Sequence, residues 1–239
     1  MRNLKLTLQY DGTNFCGYEL QPGKRTIRGE LEQALRKLFG EEIKLISSSR
    51  TDSGVHALQN VVNFKTENKS VPIPKIPKAL NGLLPDDIRI IEAKKVKDSF
   101  NARYDAKKKT YEYLIYNGEI LPPVLLNLAW HVKPKLDLAK MKKKAKTLVG
   151  TRDFSSFCAA GGDDTNFVRT LYKVSVKKKF VTIWEGYNLS VISYKFTGNG
   201  FLYKMVRLMV GALVEAGLNQ KPRRFCAPPQ GLCLLKVAY

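Results

Sequence analysis

Apolar and polar residues alternate over residues 4–10, the period of a half-buried strand, and the Asp11-Gly12-Thr13-Asn14 cluster that follows reads as a turn. Over residues 26–39 the period changes. Ile27, Leu31, Ala34, Leu35 and Leu38 fall at helical spacing, with Thr26 where an N-cap belongs and Gly29 weakening the first turn. Strand patterns return at 43–47 and 61–66, so residues 50–56 between them are predicted as a loop. A short helix is predicted over 74–84, entered through Pro72, Pro74 and Pro77, and a strand over 88–96. Further on, strands are predicted at 110–117, 168–176, 180–184, 189–196 and 232–237, and helices at 136–148 and 203–218. Met205, Val206, Met209, Val210, Leu213 and Val214 give the last helix a broad apolar stripe. Two successive runs of strand, helix, strand, strand predict an α+β chain in two halves, 1–105 and 106–239.

Charge adds a partner to this picture. Among 239 residues, Lys plus Arg number 41 and Asp plus Glu 21, a formal net charge of +20. A Lys-rich thermophilic surface would bring Glu along with Lys, so the excess points instead to a polyanion, whose condensed counterions a basic surface releases. Residues 1–105 carry 18 basic and 13 acidic residues, net +5; residues 106–239 carry 23 and 8, net +15. The second half, with lysine runs at 107–109, 142–144 and 177–179, is therefore expected to hold most of the phosphate-contacting surface, though such runs also serve as plain solvated faces.

Several classes are excluded. The first ten residues lack the apolar core of a signal peptide, and no window approaches the run of apolar residues that spans a membrane. Cys16, Cys158, Cys226 and Cys233 form no C-x-x-C pair, which argues against a disulfide framework or zinc site and for a reducing cytoplasm. His56 and His131, the two histidines, do not suggest a metal site; His56 is expected to shape its loop. Gly198-Asn199-Gly200 lacks the third glycine of a nucleotide fingerprint.

The candidate chemistry sits in Arg50-Thr51-Asp52-Ser53-Gly54. Taken alone, Asp52 reads as a turn former, although Arg50 is a basic group able to engage phosphate and Gly54 permits close approach of a ligand. The surrounding Arg50-Thr51-Asp52-Ser53-Gly54-Val55-His56-Ala57 resembles the A-G-R-T-D-A-G-V-H-A signature of the tRNA pseudouridine synthase A (TruA) family. Five further blocks resemble that family in the same order. They are Tyr10-Asp11-Gly12 with Phe15 and Gly17; Phe100 to Ala106 with Tyr111 and Tyr113; Gly150 to Phe157; Gly200 to Arg207 with Gly211; and Ala227-Pro228 with Gly231-Leu232. The chain departs from the pattern at Ser48-Ser49 and Ser53, where Ala-Gly and Ala are usual, and at Tyr18-Glu19, where Trp-Gln is usual.

The resemblance implies a pseudouridine synthase fold: two ferredoxin-like halves whose antiparallel sheets form a basic cleft with Asp52 at its floor. It implies a homodimer acting on tRNA, at uridines of the anticodon stem-loop (tRNA positions 38, 39 and 40). Pseudouridine formation breaks N1–C1′, turns the uracil and joins C5 to C1′. No atoms are gained, so no cofactor and no metal are expected. One carboxylate suffices, either attacking C1′ or removing a sugar proton, whereas hydrolysis by paired carboxylates needs two. By resemblance, Asp52 is that nucleophile or base, Tyr111 stacks on the target base, Arg207 pairs with Asp52, and Arg50 helps hold the RNA open. Two other readings compete: a non-catalytic RNA-binding protein of two ferredoxin-like modules, and a glycosidase-type hydrolase acting on RNA.

Overall fold

The computed structural model describes residues 1–162 and 164–239. In chain order its elements are β1 (Arg2–Tyr10), α1 (Ile27–Phe39), β2 (Ile46–Ser47), β3 (His56–Thr66), α2 (Ile76–Asn81), β4 (Ile88–Val96), β5 (Lys108–Tyr116), β6 (Trp130–His131), α3 (Leu138–Lys146), β7 (Gly150–Asp153), β8 (Val168–Trp184), β9 (Tyr187–Gly198), α4 (Met205–Gly217) and β10 (Leu232–Ala238). The architecture is α+β. Two compact units divide the chain: Met1–Lys107 together with Leu234–Tyr239, and Lys108–Cys233. No helix among the described residues is long and apolar enough to cross a membrane.

In the first unit the strand order is β4-β1-β3-β10, with β2 paired to β3. The antiparallel register sets Leu4 opposite Phe64, Leu6 opposite Val62 and Leu8 opposite Asn60, and on the other side Tyr10 opposite Ile88. Because strand side chains alternate, Leu4, Leu6, Leu8 and Tyr10 share one face and are buried. Helix α1 covers that face at one end, where Phe39 meets Phe64 with ring centroids 5.7 Å apart. Thr26 is its N-cap, accepting from the Gly29 N–H, and Gly40 ends it in the left-handed region at φ 70°. On the opposite face, Asn3 and Asn63 tie down the 97–102 segment. Asn3 donates to the carbonyls of Lys97 and Phe100, and Asn63 accepts from the Ala102 N–H.

Two expectations need correction here. The strand pattern at 43–47 yields only the two-residue β2, because Ile43 and Leu45 are buried by packing without joining the ladder. The helix expected over 74–84 is a 3-10 turn, Ile73–Lys75, followed by the shorter α2. Asn81 closes it, exchanging hydrogen bonds with both backbone groups of Ile90 on β4.

In the second unit the order is β5-β9-β8-β7, with β6 parallel to β5. The sequence suggested a break near the lysine run at 177–179. Instead β8 is one strand of 17 residues, because the ladder to β9 continues through the lysine run, pairing Lys177 with Ser193, Lys178 with Ile192 and Lys179 with Val191. Lys177 and Lys178 are exposed, whereas Lys179 turns back to Glu112, Nζ to Oε1 2.9 Å.

Glu112 also accepts from the Ser193 hydroxyl and lies 3.8 Å from Lys195 Nζ. Burial alone would push its carboxyl up, but the Ser193 bond and the two ammonium groups outweigh it and hold Glu112 below the ordinary glutamate value. A depressed folded-state value means stability present above the unfolded value and lost as pH falls through the folded one. The unfolding free-energy difference between wild type and Glu112→Gln should therefore be largest near neutrality and shrink below about pH 4.3, as denaturant titrations across pH would show.

Helix α4 is buried nearly all round, so its apolar stripe lies in the core of this unit. Gly211 is required within it. A Cβ there would stand 1.9 Å from the Phe225 carbonyl oxygen, so the 225–227 segment can run along the helix only past a glycine.

Candidate active site

The loop that follows β2 and ends at Val55 carries Asp52, and its shape is set by the turn that follows β1. Gly12 lies so close that a Cβ would come 2.1 Å from the Val55 carbonyl oxygen. Gly17, at φ 98°, packs on the same loop, where a Cβ would meet Thr51 O at 3.1 Å and Ser53 N at 3.2 Å. Only glycine suits both the close approach and the positive φ. Between them the Phe15 carbonyl accepts from the Gly54 N–H at 3.3 Å and the Ser53 hydroxyl at 3.0 Å, while the Tyr18 N–H donates to Thr51 O at 3.0 Å. Gly54 itself takes φ 76°, and the Val55 N–H closes the turn on Asp52 O. The tyrosine-aspartate-glycine block near the N-terminus is thus the cradle of the aspartate loop. That relation explains why both blocks occur in one chain.

His56, the first residue of β3, is buried against this cradle. Its Nδ1 lies 3.2 Å from the Gly12 N–H and 3.1 Å from Asp11 Oδ1. The Gly12 N–H can only donate, which makes Nδ1 an acceptor in the neutral ring; protonated, the same nitrogen would turn to Asp11. Burial pushes the Asp11 carboxyl up, but its bonds from the Thr13 hydroxyl and N–H, with His56 beside it, hold it below the ordinary range. Phe15 is fixed from outside by Arg25, whose guanidinium lies 4.1 Å from the ring centroid and forks onto Asp87 with two 2.8 Å bonds.

Within the loop, Ser48, Ser49 and Thr51 are buried, Arg50 and Ser53 are exposed, and Asp52 is half-buried. Arg50 and Asp52 therefore share one accessible stretch of the first unit. The unusual Tyr18 and Glu19 leave this geometry alone. Tyr18 contributes through its backbone, and Glu19 pairs with Arg28 at 2.9 Å.

Tyr111 and Arg207 belong to the second unit. Tyr111 is buried on β5, perpendicular to Phe201 with ring centroids 5.1 Å apart. Arg207 is half-buried on α4, and its Nε donates to Ala227 O at 2.7 Å while the Ala227 N–H returns to Arg207 O at 3.1 Å. The next residues continue the brace: the Tyr113 hydroxyl donates to Pro228 O at 2.7 Å, and a Cβ on Gly231 would meet the Tyr113 ring at 2.7 Å. The closing alanine-proline block thus orients the Arg207 guanidinium. Two residues lie beneath the loop: Tyr10, which the sequence marks only as part of its block, and Asn60, which it does not mark. A buried asparagine at a core-facing strand position was the available signal. Among the described residues no three His, Cys, Asp or Glu side chains gather as a metal site requires.

Comparisons with known proteins agree with this assembly of blocks. A family model described as tRNA pseudouridine synthase matches residues 7–105 and 145–224. Proteins named tRNA pseudouridine synthase A are similar over the whole of both chains: 43% identical in Thermoanaerobacter sp. (strain X514), 41% in Caldicellulosiruptor saccharolyticus and 40% in Acetivibrio thermocellus. With both the cradle and the aspartate loop inside the matched span, the chain belongs to the tRNA pseudouridine synthase family.

Proposed function

We propose that this chain isomerises uridine to pseudouridine in tRNA, with Asp52 as the reacting carboxylate. The observation that carries the reading is the loop itself. Buried Thr51 and Val55 anchor it on either side, while Asp52 and Arg50 remain accessible to a large substrate. The reaction is balanced without a co-reactant: N1–C1′ breaks, the uracil turns, C5–C1′ forms, the C5 proton leaves and N1 is protonated. Asp52 supplies the one group this needs, whether it attacks C1′ or takes a sugar proton.

The other assignments follow the same reading. Tyr111 takes the face of the extruded base, Arg207 supplies positive charge to the carboxylate, and Arg50 holds the RNA strand open. The exposed Lys142, Lys143 and Lys144 of α3, in the more basic part of the chain, fit the phosphate backbone. The substrate region is the anticodon stem-loop, the enzyme a cytoplasmic homodimer.

Incubation with transcribed tRNA tritiated at uracil C5 tests the function. Release of tritium without chain cleavage or free uracil is the expected result. Retained label with tight binding would make the chain a binding module, and free uracil would make it a hydrolase.

A further inference from the structure

Asn60 is completely buried on β3, beneath the loop that carries Asp52. A buried amide is costly unless its bonds are made, and here all four are. Oδ1 accepts from the Ser48 hydroxyl at 2.9 Å and from the Val61 N–H at 2.9 Å. Nδ2 donates to the Ser49 carbonyl at 3.0 Å and to the Tyr10 hydroxyl at 3.1 Å. The amide orientation is not arbitrary, because the Val61 N–H can only donate and must face oxygen. The Tyr10 hydroxyl, which accepts from Asn60, shares a 2.8 Å hydrogen bond with Thr51 Oγ1.

The network runs from β3 through Asn60 to Ser48 and Ser49 on one side, and through Tyr10 to Thr51 on the other. Residues 49 and 51 are thereby pinned to the core, which turns residues 50 and 52 outward. Ser48, one of the departures from the family pattern noted above, is an integral member, its hydroxyl donating to Asn60 and accepting from the Val61 N–H at 3.3 Å.

We propose that Asn60, acting through Tyr10 and Ser48, is a positioning residue that fixes Asp52 for reaction. The inference rests on the isomerase reading above. Fully satisfied buried polar networks impose one geometry, and a carboxylate displaced by a fraction of an ångström from the sugar carbon loses rate rather than affinity. Substrate affinity, set mainly by phosphate contacts, does not pass through this network.

The test measures kcat and KM for tritium release from tRNA, per folded molecule, in Tyr10→Phe, Ser48→Ala and Asn60→Ala. Tyr10→Phe and Asn60→Ala are expected to lower kcat by about 10- to 100-fold. Their KM should stay within about twofold of wild type, the pattern of a defect confined to the reacting geometry. Ser48→Ala should lower kcat less, because the Val61 N–H still satisfies the amide oxygen. If Asn60→Ala does not fold, Tyr10→Phe decides, since it keeps the ring and removes only the hydroxyl. Unchanged kcat per folded molecule, or a raised KM at unchanged kcat, would overturn the inference. A wild type that releases no tritium overturns the functional reading and this inference with it; a wild type that turns over beside unaffected variants overturns the inference alone.

Discussion

Asp52→Asn is expected to lower tritium release from tRNA by about 10⁴-fold or more, the scale seen when a reacting side chain is removed. The amide matches the carboxylate in size but has neither its nucleophilicity nor its basicity, so both routes open to Asp52 fail together. The fold should be untouched. The loop is held by backbone groups of Thr51, Asp52 and Gly54 and by the Ser53 hydroxyl, all of which the substitution keeps. Binding of tRNA should change by no more than a few-fold, because phosphate contacts dominate affinity. Single-turnover release and filter binding on one preparation separate these effects. Turnover retained in Asp52→Asn would end the assignment.

Gly12→Ala should damage stability and activity at once. The added carbon would meet the Val55 carbonyl oxygen at 2.1 Å, its carbon at 2.5 Å and its nitrogen at 2.9 Å, all backbone atoms. No rotamer change relieves such a contact, so the turn and the aspartate loop must separate. Overpacking of this kind costs about 1–3 kcal/mol or somewhat more. Displacement of the loop should lower kcat by roughly 10²-fold in the molecules that remain folded. Gly82→Ala is the control. Its Cβ would find only ordinary contact, 3.5 Å from Ala79 O, and the change should stay within about 0.5 kcal/mol. Thermal unfolding and initial rates of the two variants, side by side, check the prediction.

What the sequence made legible was local. The alternation ending at Tyr10, the Thr26 cap and the spacing from Ile27 to Phe39 each describe a segment whose partner is its own neighbour, and β4 begins and ends where its pattern does. Misplaced boundaries came where tertiary packing overrode local preference. Ile43 and Leu45 are apolar because they are buried, and the lysines at 177–179 continue a strand because β9 supplies their ladder. The aspartate loop was legible by its residues and the resemblance they carry, but its support was not. That Gly12 donates to His56 beneath the loop, or that Asn60 reaches Tyr10, depends on strand register across 44 or 50 positions of sequence, which no short window contains.

The strand β10 has a consequence for biosynthesis. Its residues from Leu234 onward belong to the unit that contains Asp52, lying beside β3, and Lys107 and Ala102 are tied to Ala238 and Tyr239. While the chain is emerging from the ribosome, the first unit can assemble β4, β1 and β3, but the outer edge of β3 has only the two-residue β2 beside it until the second unit has been translated. The aspartate loop thus stands on an unfinished sheet until the residues from Leu234 onward are available to pair beside β3.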